Sequence, residues 1–223
     1  MKHLRKFETE SKVKMFTQPN VVLVSDTGVV KYNAPMPSGV FVQHIDGSLW
    51  NYTEWTAEGF TLEQVNGIAV IDENAKFVIA KTNIGNYIRW SSNYTTLIDG
   101  VYTSTKKTAA QADYGGANNT ALIAATDISE AAYLCANYTF PNGQRGYLPS
   151  LGELTVVLKY KSQITWTINA IGAETYYSNS YWSSTQYDAI YAWMLGWSTA
   201  SAGIIEKGTK GNTYARAFAA LII

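Results

Sequence analysis

Residues 181–197, YWSSTQYDAIYAWMLGW, carry three tryptophans and three tyrosines in seventeen positions, spaced by Ser, Ala and Gly instead of a continuous Val, Ile and Leu run. So many rings either supply the buried area of a small β-rich core or form a surface that touches something else. Alternate side chains of a strand share a face, so Trp193, Leu195 and Trp197 point one way and Ala192, Met194 and Gly196 the other. The first set reads as scaffold and the second as outward-facing; a strand pair buried on both sides is the alternative.

Outward from this stretch, residues 213–223, TYARAFAALII, read as a closing strand, and two helices precede it. Asp127 with Glu130 three residues on makes a capping box for ISEAAYLCANY. Ser150 with Glu153 makes another for LGELTVVLKYKSQI, whose Leu151, Leu154, Val157 and Leu158 fall on one face. Earlier, VFVQHIDGSLW turns at Asp46-Gly47, GIAVIDENAKFVIAKT turns at Asp72 to Asn74, and YIRWSS reads as a further strand. Leu97 to Asn119 is turn-rich and reads as irregular. The order strands, helices, strands implies α+β.

At the amino-terminal end, residues 4–16 form a weak amphipathic helix around Leu4, Phe7, Met15 and Phe16, ended by Pro19. NVVLVSDTGVVKYN follows as two short strands about an Asp-Thr-Gly turn. APMPSG, residues 34–39, is the linker candidate. It divides the chain into an amino-terminal segment, 1–37, and a domain, 38–223.

Composition narrows the function. The chain has 223 residues, enough for a self-sufficient core, and its 17 basic and 17 acidic residues cancel. The charged fraction of 15% lies below the roughly 25% of an average soluble domain. Nucleic acid is not an expected partner, because the one basic cluster (Lys2, Arg5, Lys6, Lys12, Lys14) is thinned by Glu8 and Glu10 and reads as a solvated helix face. One cysteine, Cys135, and two histidines, His3 and His44, exclude a disulfide framework and a Cys/His zinc site. No apolar run is long enough to cross a membrane, and MKHLRKFETESK lacks the apolar stretch of a secretory signal. No GxSxG, GxxxxGK[ST] or HExxH occurs. Glu130 and Glu153 are claimed by caps, Asp46 and Asp72 by turns, and nothing pairs Glu174, Asp188 or Glu206 for acid–base work. His44 reads as a partly buried structural residue and Cys135 as a small buried hydrophobe. The expectation is a protein without catalytic residues, cofactor or metal.

AAYLCANYTFPNGQRGYLPSLGEL, YWSSTQYDAIYAWMLGW and YARAFAAL, taken together, resemble the C-type-lectin-like domain of the formylglycine-generating-enzyme type, in the branch with variable proteins of diversity-generating retroelements and Bacteroides phage and surface proteins. The resemblance spans roughly residues 39–223, most specifically 128–223, and the phrase DYGGANNT at 113–120 fits gut-bacterial members. It implies a C-type-lectin-like fold: two helices against small antiparallel sheets, with the termini of the domain paired and a short amino-terminal extension. The Glu-Pro-Asn and Trp-Asn-Asp calcium tripeptides are absent, as is the cysteine pair of the enzymes.

In the related variable proteins the outward set and its neighbouring loops bind the ligand. Carried across, the display positions are Ala189, Ile190, Tyr191, Met194, Gly196, Thr199, Ser201, Ile204, Ile205, Glu206, Gly208 and Gly211. Asn codons rewritten at adenines become those of Ala, Ile, Tyr, Gly, Thr or Ser, and Lys codons those of Met or Glu, which matches the set. The resemblance therefore implies a receptor-binding protein of a phage tail, or a retroelement-diversified variable protein. It would contact a host cell-surface protein or glycan without membrane insertion, on a virion or cell surface after synthesis in the bacterial cytoplasm. Self-association, with a homotrimer favoured, or virion attachment would use residues 1–37. A structural subunit or adhesin of a tail or surface fibre is the alternative; a glycan-active enzyme is the third reading.

Overall fold

The computed structural model describes residues 21–25, 28–32, 37–92, 94–126 and 130–222. The helix read at 4–16, and Asp127 of the first capping box, lie outside them. The Asp-Thr-Gly hairpin is present as β1 (Val21–Ser25) and β2 (Gly28–Tyr32), paired antiparallel as a sheet of their own. Then come β3 (Gly39–His44), β4 (Leu49–Trp50), α1 (Tyr52–Ala57), a 3-10 turn at Leu62–Gln64, β5 (Val65–Ile71), β6 (Lys76–Ile79) and β7 (Gly85–Asn86). Five helices follow: α2 (Lys107–Ala110), α3 (Gly116–Ala124), α4 (Glu130–Asn137), α5 (Leu151–Lys159) and α6 (Lys161–Ile171). The chain closes with β8 (Ser180–Gln186), β9 (Tyr191–Gly196), β10 (Ser201–Glu206), β11 (Thr213–Ala215) and β12 (Phe218–Ala220).

This architecture corrects the expected one. Among the described residues there are six α-helices and two open five-stranded sheets, ordered β10-β9-β8-β11-β7 and β12-β6-β5-β3-β4. The two-helix, small-sheet C-type-lectin arrangement is not what the chain forms. The first sheet is mixed, because the chain leaves β8 through two hairpins and returns on its other side to lay β11 parallel to it. The first and last strands of the domain, β3 and β12, share the second sheet but are separated by β5 and β6, so they do not pair with each other.

The physical reason for the extra helices is that both sheets are buried on both faces. In β3, Val40 and Val42 enter one core cluster while Phe41 enters another; in β5, Ile68 and Val70 part from Ala69 in the same way. β8 splits Tyr181 from Trp182, and β11 splits Tyr214 from Ala215. A strand with apolar residues on two sides needs cover on two sides, which two helices cannot give. On the first cluster lie Leu154 and Val157 of α5 with Ile164 and Ile168 of α6; on the second lie Ile123 of α3 with Ala131, Ala132 and Cys135 of α4. Cys135 is thus fully buried, and burial pushes its thiol well above the usual range.

Local signals held where side-chain chemistry fixed them. Ser150 caps α5, with Glu153 reaching back to the Ser150 N–H in the reciprocal box. YIRWSS departs from expectation: it is a bent segment outside any strand, whose Trp90 and Ser91 N–H groups donate to the Lys207 carbonyl at 3.0 and 3.2 Å. The stretch read as one helix after Ser150 is two, α5 and α6, meeting at Tyr160.

Candidate functional site

The aromatic stretch folds as β8, a turn and β9, and β10 returns beside β9 as the outermost strand of its sheet. Asp188 shapes the turn, its Oδ1 accepting from the N–H groups of Ile190 and Tyr191 at 2.8 and 2.7 Å. The tryptophans are anchors. Trp193 Nε1 donates to the Ser104 carbonyl at 2.8 Å, Trp182 Nε1 to that of Ile88 at 2.9 Å, and Trp90 Nε1 to that of Ser183 at 2.7 Å. Trp193, Leu195 and Trp197 are all buried, as scaffold residues require.

The other face of β9 is covered as well. Ala192 is fully buried with Trp182 in the second core cluster, Met194 and Ile205 pack against that cluster, and Gly196 is buried. Register decides the rest: Ser201, Gly203 and Ile205 lie opposite Gly196, Met194 and Ala192, whereas Ile204 and Glu206 lie opposite Trp193 and Tyr191. The twelve display positions therefore divide between two faces. Ile190, Thr199, Ser201, Ile204 and Glu206 are exposed; Ala189, Tyr191, Met194, Ile205, Gly208 and Gly211 are half-buried. The exposed ones cluster at β10 and the turns beside it, whereas Gly196 is buried and Gly211 lies beyond β10, just ahead of β11. Ile190 and Ile204 keep 44% and 40% of their surface, and no described strand pairs with the outer side of β10.

Beneath this rim lies a residue that sequence reading passed over. Lys207 is fully buried, its ammonium donating to Gln186 Oε1 at 2.8 Å and to the Thr96 carbonyl at 3.4 Å, and standing 4.8 Å from the centre of the Trp90 ring. Burial lowers its pKa from 10.5 to about 8. Its N–H donates to the Ile190 carbonyl at 2.9 Å. One side chain and one peptide thus lock the turn, the end of β10 and the segment at 90–91 together. A lysine in a Gly-rich loop carries no sequence signal of burial.

A second polar knot fixes the scaffold. The buried Asp113 carboxylate accepts from Gly115 N (2.8 Å), Asn119 Nδ2 (2.8 Å) and Thr185 Oγ1 (2.7 Å). Its carbonyl accepts from Ser150 Oγ (2.7 Å) and Gly152 N (2.9 Å). Glu153, next to it, accepts from the Tyr147 hydroxyl at 2.7 Å, and burial raises its pKa from 4.5 to about 7. Both carboxylates spend their lone pairs on protein donors. Among the described residues no group of three or more His, Cys, Asp and Glu is placed to hold a metal ion. Glu174 binds Asn83, and His44 sits against Trp55 and Phe60 with Nδ1 accepting from Asp46 N at 3.1 Å.

No known protein-family profile matches this chain, and no curated protein does. Among solved structures it is similar to a fimbrial protein from Bacteroides ovatus ATCC 8483, at 18% identity and a TM-score of 0.55, over 89% of this chain and 51% of that one. The likeness is one of fold. The chain spans about half the length of the fimbrial protein it matches. No described helix is long and apolar enough to cross a membrane.

Proposed function

We propose that this chain is a non-catalytic subunit or adhesin of a surface fibre, making its contact through the β9–β10 rim and the turns at 187–190 and 197–200. The observation that carries the reading is the open outer side of β10 with Ile190 and Ile204 exposed beside it. Unpaired strand N–H and C=O groups are a template for another chain, and exposed isoleucines next to them favour a partner over water. The fold likeness to a fimbrial protein supports the fibre setting. The commitment of Asp113, Glu153, Glu174 and Asp188 to structural hydrogen bonds supports binding over catalysis. A second reading keeps the same rim but gives it to a host receptor, protein or glycan; the exposed Thr199, Ser201 and Glu206 beside the isoleucines favour it.

Sedimentation of the full chain over a range of concentrations, combined with hydrogen exchange of the β10 amides, separates the two. The fibre reading expects concentration-dependent assembly with protected β10 amides, both lost in Ile204→Ser and Ile190→Ser at an unchanged melting temperature. A chain that stays monomeric with open β10 amides at every concentration overturns the assembly contact.

A further inference from the structure

At the opposite edge of the same sheet, β7, β11 and the loop after α6 gather tyrosines from three separate parts of the chain. Tyr214 on β11 is buried, and Tyr87 and Tyr177 rest on it with ring centres 5.4 and 5.2 Å away. Both outer rings are open to solvent, Tyr87 at 55% and Tyr177 at 41%. Tyr87 beside Tyr214, and the Glu174 carboxylate beside Tyr177, raise the pKa of the two phenols. Behind them Tyr176 stacks on Trp197 at 4.2 Å and 13°, and the Arg216 guanidinium covers the other side of Tyr176 at 4.5 Å.

Two kinds of strain converge here. Tyr87 has φ +56, a left-handed backbone that is an outlier for a bulky side chain and that clusters at ligand sites. Four buried polar atoms lack a hydrogen-bond partner among the described residues, and three of them, Asn83 Oδ1, Tyr176 OH and Arg216 Nη1, lie in the buried layer around Glu174. Such atoms are rare in folded proteins, and each calls for an explanation.

We infer that the Tyr87–Tyr177–Tyr214 cluster is a binding site for a neutral saccharide. A pyranose ring presents a face of C–H groups to an aromatic ring and a rim of hydroxyls that both donate and accept. The cluster offers the matching parts: the exposed rings and hydroxyls of Tyr87 and Tyr177, with the half-buried Asn179 side chain near them. The glutamate is already held by Asn83 N and Nδ2 at 2.8 and 2.9 Å, and the arginine is buried, so no exposed cationic cluster is set out for an anionic sugar. A protein partner fits less well. Protein interfaces centre on a well-packed apolar core, and segments 81–88, 172–181 and 209–215 expose no large aliphatic side chain.

The site lies at the other edge of the sheet from β10, and its test reads glycan binding where the other reads assembly. The full chain is applied to a printed array of neutral and sialylated oligosaccharides, and the best-bound neutral oligosaccharide is then titrated calorimetrically. Tyr87→Gly is the decisive variant: glycine adopts φ +56 without strain, so the melting temperature holds or rises while affinity falls about tenfold, as the loss of one ring contact implies. Tyr177→Ala gives the same split. The inference is overturned by retention of no neutral glycan, by retention unchanged in both variants, by losses that track a lowered melting temperature, or by binding that persists on an enzymatically deglycosylated glycoprotein.

Discussion

At Glu153 a carboxyl group is closed off from water between α5 and the Asp113 loop, and burial makes its charged form costly. Its pKa of about 7 in the fold stands above its ordinary 4.5. Between those values the folded chain keeps a proton that the unfolded chain releases, so the stability this group contributes is fully present below pH 4.5 and is lost as pH rises through 7. The span corresponds to about 3 kcal/mol. Lys207 has the opposite sense: its pKa of about 8, against 10.5, means that the unfolded chain holds the extra proton from pH 8 to 10.5, and stability rises with pH there. Melting temperatures across pH 4–11 should show both limbs. Glu153→Gln, which can keep the capping geometry, should remove the fall between 4.5 and 7. Lys207→Met should remove the alkaline rise. A wild-type slope that survives in either variant assigns that limb to another group.

At the scale of elements, what was legible followed how local the deciding interaction is. The Ser150–Glu153 box, the Asp46-Gly47 turn and the β5–β6 turn at Asp72 are written within four residues, and they form as read. α3 was not legible. GANNTALIA lacks a strong apolar stripe, and its helix is held from outside, by Thr120 Oγ1 donating to the Leu148 carbonyl and Asn119 reaching Asp113. The rim was legible in part: alternation marks Trp193 as scaffold, but alternation cannot say that Ala192 and Met194 face a second core, because that depends on helices α3 and α4 from elsewhere in the chain. Nor could the tyrosine cluster be read, since Tyr87, Tyr177 and Tyr214 lie 37 or more positions from one another. Tertiary dependence makes one element a sharp test. Gly152, in the first turn of α5, lies so close to the Asp113 carbonyl that a Cβ there would collide with it. Gly152→Ala should therefore cost as much as Trp193→Ala, about 3 kcal/mol or more, read by denaturant unfolding. A loss for Gly152→Ala of the size typical of an exposed helix position would show that the α5 start is not wedged against this loop.

Over the whole molecule, the two five-stranded sheets and their helices share their clusters. Phe218 on β12 stacks on Phe77 of β6 at 4.6 Å, while Tyr147, between α4 and α5, exchanges backbone hydrogen bonds with Phe218. Arg216, in the short link between β11 and β12, donates to the carbonyls of Ala80 and Glu174 at 2.8 and 2.7 Å, tying that link to the end of β6 and to the loop after α6. Cutting between the sheets would break that core. The β1–β2 hairpin stands differently: its strands pair with each other and with neither large sheet. Two strands alone are marginal in water, so the hairpin's stability must come from what it packs against, and the body from Gly39 onward does not depend on it for strand pairing. A chain beginning at Ser38 should then unfold cooperatively at nearly the full-length melting temperature, with both the β10 rim and the tyrosine cluster intact. Light scattering should show that it has lost whatever self-association residues 1–37 supply. If the truncated chain instead melts early, with Val40 and Phe41 no longer protected from hydrogen exchange, the hairpin segment belongs to the core of the domain and the division at APMPSG falls.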